Sequence, residues 1–333
     1  PQKILSACAP NYIEGIFNMK GFFCGTAVAL VTPFHKKEIN EERLKQLIAR
    51  QIQSGTDALL LLGTTGEPAS LTEKEKRKIM QISRSARDEF SPKNVDGTPL
   101  VKLIFGCGSN DTKTARNNAR IAEEYGADGL LAVTPYYNKC TQNGLYYHFR
   151  AIAEAVRIPL IVYSVPSRTG MSISPRAMRK LSEIPNVAGI KDAGGDMKTT
   201  LEILRLVREK CDVFSGEDAL NFPVLAAGGA GVISAVANLT PRLIKAQYLA
   251  VKNSDLKKAA QITDMLTPLV SACFCAVNPI PIKAAMKFVG FPCGSPRAPL
   301  TPLCGYREKQ IGKIIDALKA QTKEADLTDG ENL

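Results

Sequence analysis

The sequence predicts an α/β fold, a (β/α)8 TIM barrel with a helical C-terminal appendage, and three observations carry that expectation. Eight short apolar runs recur along the chain, each followed by a polar or glycine-rich break and then a longer segment with helical spacing. The runs are nearly unbroken rather than alternating, as parallel strands buried on both faces require. Beyond about residue 253 the strand signal stops and only helical patterns remain.

The apolar runs are Ala27 to Val31, Ala58 to Leu62, Leu100 to Phe105, Gly129 to Val133, Leu160 to Tyr163, Val187 to Ile190, Val213 to Ser215 and Gly231 to Ala235. The helices between them carry caps. Asn40 precedes Glu41 and Glu42, and Leu44, Leu47, Ile48 and Ile52 share one helical stripe before Gly55 ends it. Thr72 and Glu75 form a capping box ahead of Ile79 and Ile82. Ala115, Ala119 and Ala122 line a third helix that stops at Gly126, and Leu145, Phe149, Ile152 and Val156 line a fourth. Thr240 then places Pro241 at a first helical position, where its missing donor costs nothing. An open doubly wound sheet is the alternative. It normally shows a Gly-rich turn after its first strand, and Val31-Thr32-Pro33-Phe34 is not one.

Helical patterns at Leu256 to Phe274, Pro281 to Phe288 and Glu308 to Leu318 make up the appendage. The expected organisation is a barrel over residues 23–252, a helical domain over 253–321 and a polar, frayed tail from Thr322. Residues 1–22 are expected to be a leader or cloning remnant outside the fold. The apolar part of Ile4-Leu5-Ser6-Ala7-Cys8 is too short for a signal segment, and Met19 opens a stretch that reads as a natural beginning.

Composition narrows the function. The 333 residues are 45% hydrophobic and 23% charged, a globular profile. Two histidines, His35 and His148, argue against a zinc site or a histidine triad. Nine scattered cysteines without a C-x-x-C pair read as thiols of a reducing compartment, and a cytoplasmic location is expected. No apolar stretch approaches the roughly 20 residues that span a bilayer, so no membrane partner is expected. The net charge of +11 suits an anionic ligand. Basic residues sit mostly on helical faces, as in Lys74-Glu75-Lys76-Arg77-Lys78, so any nucleic-acid binding should be weak and removed by salt.

In such a barrel the chemistry lies just after the strands. The second run ends in Gly63-Thr64-Thr65-Gly66-Glu67, the fourth in Thr134-Pro135-Tyr136-Tyr137-Asn138, the fifth in Tyr163 to Gly170 and the sixth in Lys191-Asp192. A lysine closing an apolar run faces desolvation, which lowers its pKa and frees the amine for a Schiff base; the alternative is a lysine snorkelling at the rim. The glycines around Thr64 and Thr65 let backbone amides converge on a carboxylate, or else mark an ordinary turn. Tyr137 and Tyr163 are proton carriers or rim aromatics, and Arg168 is a carboxylate clamp or a loop charge. Gly228-Gly229-Ala230-Gly231 reads as tight packing before the last strand. Together these residues suit imine chemistry on a 2-keto acid.

These segments, in this order and spacing, with Val232-Ile233-Ser234 and Asn278-Pro279-Ile280-Pro281, resemble the dihydrodipicolinate synthase and N-acetylneuraminate lyase family of class I aldolases. The resemblance runs from about Gly25 to the C-terminal helices. It implies a lyase in which Lys191 forms an iminium with pyruvate, with no other cofactor and no metal, while Thr64 and Thr65 hold the carboxylate. It further implies a proton relay through Tyr163, Thr64 and Tyr137, the last reaching in from a neighbouring subunit of a dimer of dimers. Gly216 and Ile233 are implied to line the substrate site.

Arg168 and Tyr137 resemble the synthase branch, in which Arg168 binds aspartate semialdehyde and the product is 4-hydroxytetrahydrodipicolinate, on the route to diaminopimelate and lysine. Other pyruvate aldolases or dehydratases of sugar acids, and a non-catalytic binding protein on the same scaffold, are the competing readings. Ser164 and Pro68 depart from the family pattern. So do Thr114, Glu73 and Lys76 at the positions of a lysine-binding allosteric pocket, although Asn110 and Tyr136 match it.

Overall fold

The computed structural model describes residues 12–13, 16–17 and 19–322. Eight strands close into a barrel in chain order: β1 (Gly25–Ala29), β2 (Ala58–Leu61), β3 (Lys102–Gly106), β4 (Gly129–Val133), β5 (Leu160–Ser164), β6 (Val187–Asp192), β7 (Asp212–Ser215) and β8 (Gly231–Ser234). The predicted (β/α)8 fold is therefore present. The helices are α1 (Glu41–Gln53), α2 (Glu73–Phe90), α3 (Thr112–Glu124), α4 (Gln142–Ala153), α5 (Pro175–Leu181), α6 (Met197–Val207), α7 (Asn221–Ala226), α8 (Pro241–Lys252), α9 (Leu256–Cys273), α10 (Ile280–Met286) and α11 (Gly305–Gln321). Much of the proposed leader, residues 1–11, 14–15 and 18, and the tail from 323 on lie outside the described residues.

Local chemistry sets the element ends. Asn40 accepts from the Arg43 N–H, and Thr72 and Glu75 complete their reciprocal capping box. β1 ends two residues before its apolar run does, because Asn238 takes over: its Oδ1 accepts from the Val31 N–H at 3.0 Å and its Nδ2 donates to the Ala29 carbonyl at 2.8 Å. β3 starts at Lys102, since the Leu100 N–H instead donates to the Pro92 carbonyl. β6 runs on through Lys191 and Asp192, which makes both residues part of the strand.

The described residues divide into two compact units, those up to 25 with 104–233, and residues 26–103 with those from 234 on. In the first, Phe23 stacks on Phe214 with ring centroids 4.5 Å apart. The Gly21 N–H donates to Asp212 Oδ2 at 2.7 Å. Gly189 and Gly231 lack a side chain where one is impossible: a Cβ would lie 2.6 Å from the Asp212 carbonyl oxygen and 2.1 Å from that of Gly25, respectively.

In the second unit, Arg50 is fully buried and donates to the carbonyls of Asn238 and Leu239 at 2.7 and 3.0 Å. Its guanidinium stands 4.9 Å from the Phe291 ring centroid, so the cation is matched on several sides. Helix α9 packs against α8 and α11, and Leu266, Leu269 and Cys273 are among its buried residues. No helix among the described residues is long and apolar enough to cross a membrane.

Candidate active site

Lys191 sits in the last turn of pleat of β6, only 6% exposed, opposite Tyr163 of β5 and Phe214 of β7 in the parallel ladder. Its Nζ lies 4.4 Å from the Tyr163 ring centroid. Burial pulls its pKa down to about 8; the Arg168 charge pulls the same way, while Asp218 and Glu217 oppose it. A lysine in this state holds a usable fraction of free amine near neutral pH.

Gly216 makes room for it. The Gly216 N–H donates to the Asp192 carbonyl at 2.7 Å, which brings its Cα against the lysine stem. A Cβ there would stand 2.8 Å from Lys191 Cγ and 2.9 Å from Cε. Next to Lys191, Asp192 is buried and its pKa is raised by that burial. Thr200 Oγ1 donates to it at 2.6 Å and the Gly194 N–H at 3.0 Å. Asp218 is buried and accepts from Asn221 Nδ2 at 3.2 Å.

Arg168 lies exposed on a single helical turn, Pro166–Thr169, closed by Gly170 at φ +71. Thr169 secures that turn, taking a hydrogen bond from Thr134 Oγ1 at 2.8 Å and donating to the Met171 carbonyl at 2.9 Å. Lys139 covers Gly170, its Cε 2.7 Å from where a Cβ would be. Tyr137 is 93% exposed and holds φ +70, a left-handed conformation that non-glycine residues adopt at a cost. Ile233 is buried within β8.

Within the second unit, Thr64–Gly66 form a tight turn at the carboxyl end of β2. Thr64 is half-buried; Thr65 is buried and its Oγ1 accepts from Asn278 Nδ2 at 3.0 Å. In the first unit, the expected packing role of Gly228 to Gly231 fits the geometry, since a Cβ on Gly229 would lie 2.9 Å from the Val224 carbonyl oxygen.

Sequence reasoning passed over Glu217, Asp218 and the buried Lys283, and named Asn278 only within a segment of the family resemblance, with no role. The signal for Lys283 was a lysine inside the apolar stretch Ile280-Pro281-Ile282-Lys283-Ala284-Ala285-Met286. Of the two histidines, His148 is a packed core residue whose Nδ1 lies 2.9 Å from Thr112 Oγ1, and burial pushes its pKa down to about 4. Cys107, Cys140, Cys211, Cys275, Cys293 and Cys304 are free thiols. Among the described residues, no three His, Cys, Asp or Glu side chains are grouped so as to hold a metal ion.

The model of the dihydrodipicolinate synthetase family matches residues 22–318. The chain is 41% identical over 299 residues to the 4-hydroxy-tetrahydrodipicolinate synthase of Alkaliphilus oremlandii, covering 90% of this chain and 99% of that one. It is 43% identical over 303 residues to the synthase of the same name from Caldicellulosiruptor bescii, covering 91% and 99%. The crystal structure of dihydrodipicolinate synthase from Aquifex aeolicus superposes with a TM-score of 0.83 at 38% identity, over 92% of this chain and all of that one.

Proposed function

The chain belongs to the dihydrodipicolinate synthetase family, and from that premise we propose that it condenses pyruvate with aspartate semialdehyde through a Schiff base on Lys191, giving 4-hydroxytetrahydrodipicolinate for lysine and diaminopimelate biosynthesis. It is an enzyme, a lyase of the class I aldolase type. The observation that carries the reading is Lys191 itself: buried, against the Tyr163 ring, with a pKa drawn down to about 8.

The Lys191 amine attacks the C2 carbonyl carbon of pyruvate, and loss of water leaves the iminium. Removal of a C3 proton gives the enamine, with the iminium nitrogen as electron sink. The enamine carbon then attacks the aldehyde carbon of aspartate semialdehyde. Attack of that substrate's amine on the former C2 closes the ring and releases the lysine. No further cofactor enters this sequence.

In it, Thr64 and Thr65 hold the pyruvate carboxylate, and Gly216 and Ile233 shape the floor. Tyr163, Thr64 and Tyr137 pass the protons, Tyr137 from a neighbouring subunit. Arg168 receives the carboxylate of aspartate semialdehyde, for which an exposed guanidinium on a secured turn is suited. The exposure of Tyr137 together with its left-handed backbone supports a partner-facing role and a homo-oligomer, a dimer of dimers. Residues 23–252 act as the catalytic barrel and 253–321 as a helical domain. The enzyme works in the cytoplasm, without nucleic acid or membrane as partner.

The names of the relatives favour this substrate pair over a sugar acid. Borohydride trapping with pyruvate, read by peptide mass spectrometry, should place a pyruvyl adduct on Lys191 and none in Lys191→Ala. Turnover should occur with aspartate semialdehyde and not with sialic or keto-deoxy sugar acids. An adduct with turnover only of a sugar acid would move the substrate assignment; no adduct would refute the Schiff base.

A further inference from the structure

The turn that carries Thr64 and Thr65 is bracketed by two non-glycine residues in the left-handed region, Leu62 at φ +57 and Glu67 at φ +56. L-residues adopt this conformation at a cost, so something must hold it. Glu67 supplies the hold. Its Oε1 accepts from Lys283 Nζ at 2.7 Å and its Oε2 from the Arg297 N–H at 2.9 Å. Both side chains of the Glu67–Lys283 pair are 1% exposed.

The pair is tied to the turn a second time. Lys283 Nζ donates to the Thr32 carbonyl at 3.0 Å, and Thr32 Oγ1 donates to the Gly66 carbonyl at 2.7 Å. The Phe34 ring contacts two cations, Lys283 Nζ at 4.1 Å and Arg297 Cζ at 4.4 Å from its centroid. Arg297 in turn donates to the Ser70 carbonyl and to Glu75 at 3.0 Å each, anchoring the start of α2. A buried ion pair is a poor source of net stability, because apolar residues of similar volume often do as well or better. What such a pair supplies here is direction: it fixes where the turn ends.

We propose that Glu67 and Lys283 are positioning residues for the keto-acid substrate, their buried ion pair holding the Gly63–Glu67 turn in the left-handed geometry that presents Thr64 and Thr65 to the pyruvate carboxylate. This rests on the functional reading above. Neither residue touches substrate; both act through the turn.

The test compares Glu67→Gln, Lys283→Met and the double variant with the wild-type enzyme. It measures Tm, kcat, the KM for each substrate and the rate of borohydride-trapped imine formation against pyruvate concentration. In the single variants the pyruvate KM should rise roughly ten- to a hundredfold, as misplacement of a binding group by about an ångström does. The KM for aspartate semialdehyde should stay within about twofold, and trapping should recover at high pyruvate. The double variant leaves no unpaired buried charge, so its Tm should return towards wild type while the pyruvate KM stays raised.

A pyruvate KM that returns with Tm in the double variant would make the pair a support of the fold alone and overturn the proposal. So would single variants that lose Tm with an unchanged pyruvate KM. If the single variants do not fold, the double variant decides. Absence of a pyruvyl adduct on wild-type Lys191 would sink the functional reading and this assignment with it; a normal adduct with unchanged pyruvate KM in the variants would sink the positioning role alone.

Discussion

Lys191 Nζ stands 4.4 Å from the Tyr163 ring centroid, and the two residues are direct partners across neighbouring parallel strands. The ring face favours the ammonium form, while burial favours the amine, and burial wins: the pKa falls from 10.5 to about 8. The rate of imine formation with pyruvate should therefore climb tenfold per pH unit below about 8 and level off above it. Tyr163→Phe keeps the ring, so the inflection should hold its place while the plateau drops by about 10²–10⁴ with loss of the hydroxyl. An inflection near the ordinary lysine value in stopped-flow or trapping rates would contradict the burial argument.

Gly216→Ala tests the space beneath Lys191. The new methyl would sit within 3 Å of Lys191 Cγ and Cε and at 3.0 Å from the Asp192 carbonyl oxygen. The lysine stem is the part that can give way, so the amine should be displaced with little loss of fold. Trapped adduct should form about 10²-fold more slowly with Tm lowered by only a few degrees. Wild-type trapping rates in this variant would show that the stem has slack.

Why the buried Lys191 was legible and the long-range side-chain pairs were not follows from sequence distance. Lys191 ends an apolar run, and a strand-end lysine after Val187-Ala188-Gly189-Ile190 announces desolvation within five residues. The caps at Asn40 and Thr72 are local in the same way, and both formed as expected. Glu67 and Lys283 are separated by 216 positions, and Thr65 and Asn278 by 213, so nothing in either neighbourhood names the other. The run lengths misplaced the end of β1 for a related reason, since a side chain from Asn238, 207 positions on, displaces the ladder at Val31. Gly216 and Ile233 entered through the family resemblance alone; only the clash that a Cβ on Gly216 would make gives a physical reason for that glycine.

Tyr137 offers a test of shared sites that needs no structure of the assembly. Its side chain is 93% exposed, an unusual setting for a proton carrier in a single chain. If it works in a neighbour's site, Lys191→Ala and Tyr137→Phe are each nearly inactive alone. Mixed and allowed to exchange subunits, they should regain a substantial fraction of wild-type turnover, because some sites then combine an intact lysine with an intact tyrosine. Turnover that stays at the sum of the two separate variants after proven subunit exchange would place Tyr137 outside the neighbour's chemistry.

Asp212, at the start of β7, sets a stability dependence opposite to that of an ordinary carboxylate. It is 7% exposed, and burial raises its pKa from 3.8 to about 6 despite the hydrogen bond from the Gly21 N–H and the Lys20 charge. Between those two pH values the folded chain holds a proton that the unfolded chain has released. Stability therefore falls as pH rises through this window, and the full penalty, about 2–3 kcal/mol, is present above it. Asp212→Asn removes the charge while its Oδ1 can still accept from the Gly21 N–H. Part of the gain is lost to the new amide donors, which leaves about 1–2 kcal/mol at pH 8. In a chain of this size that raises Tm by a few degrees. At pH 4 both side chains are neutral in the folded state, so the advantage should disappear. Thermal melts at the two pH values decide it: an equal gain at both would assign the effect to packing rather than to the buried charge.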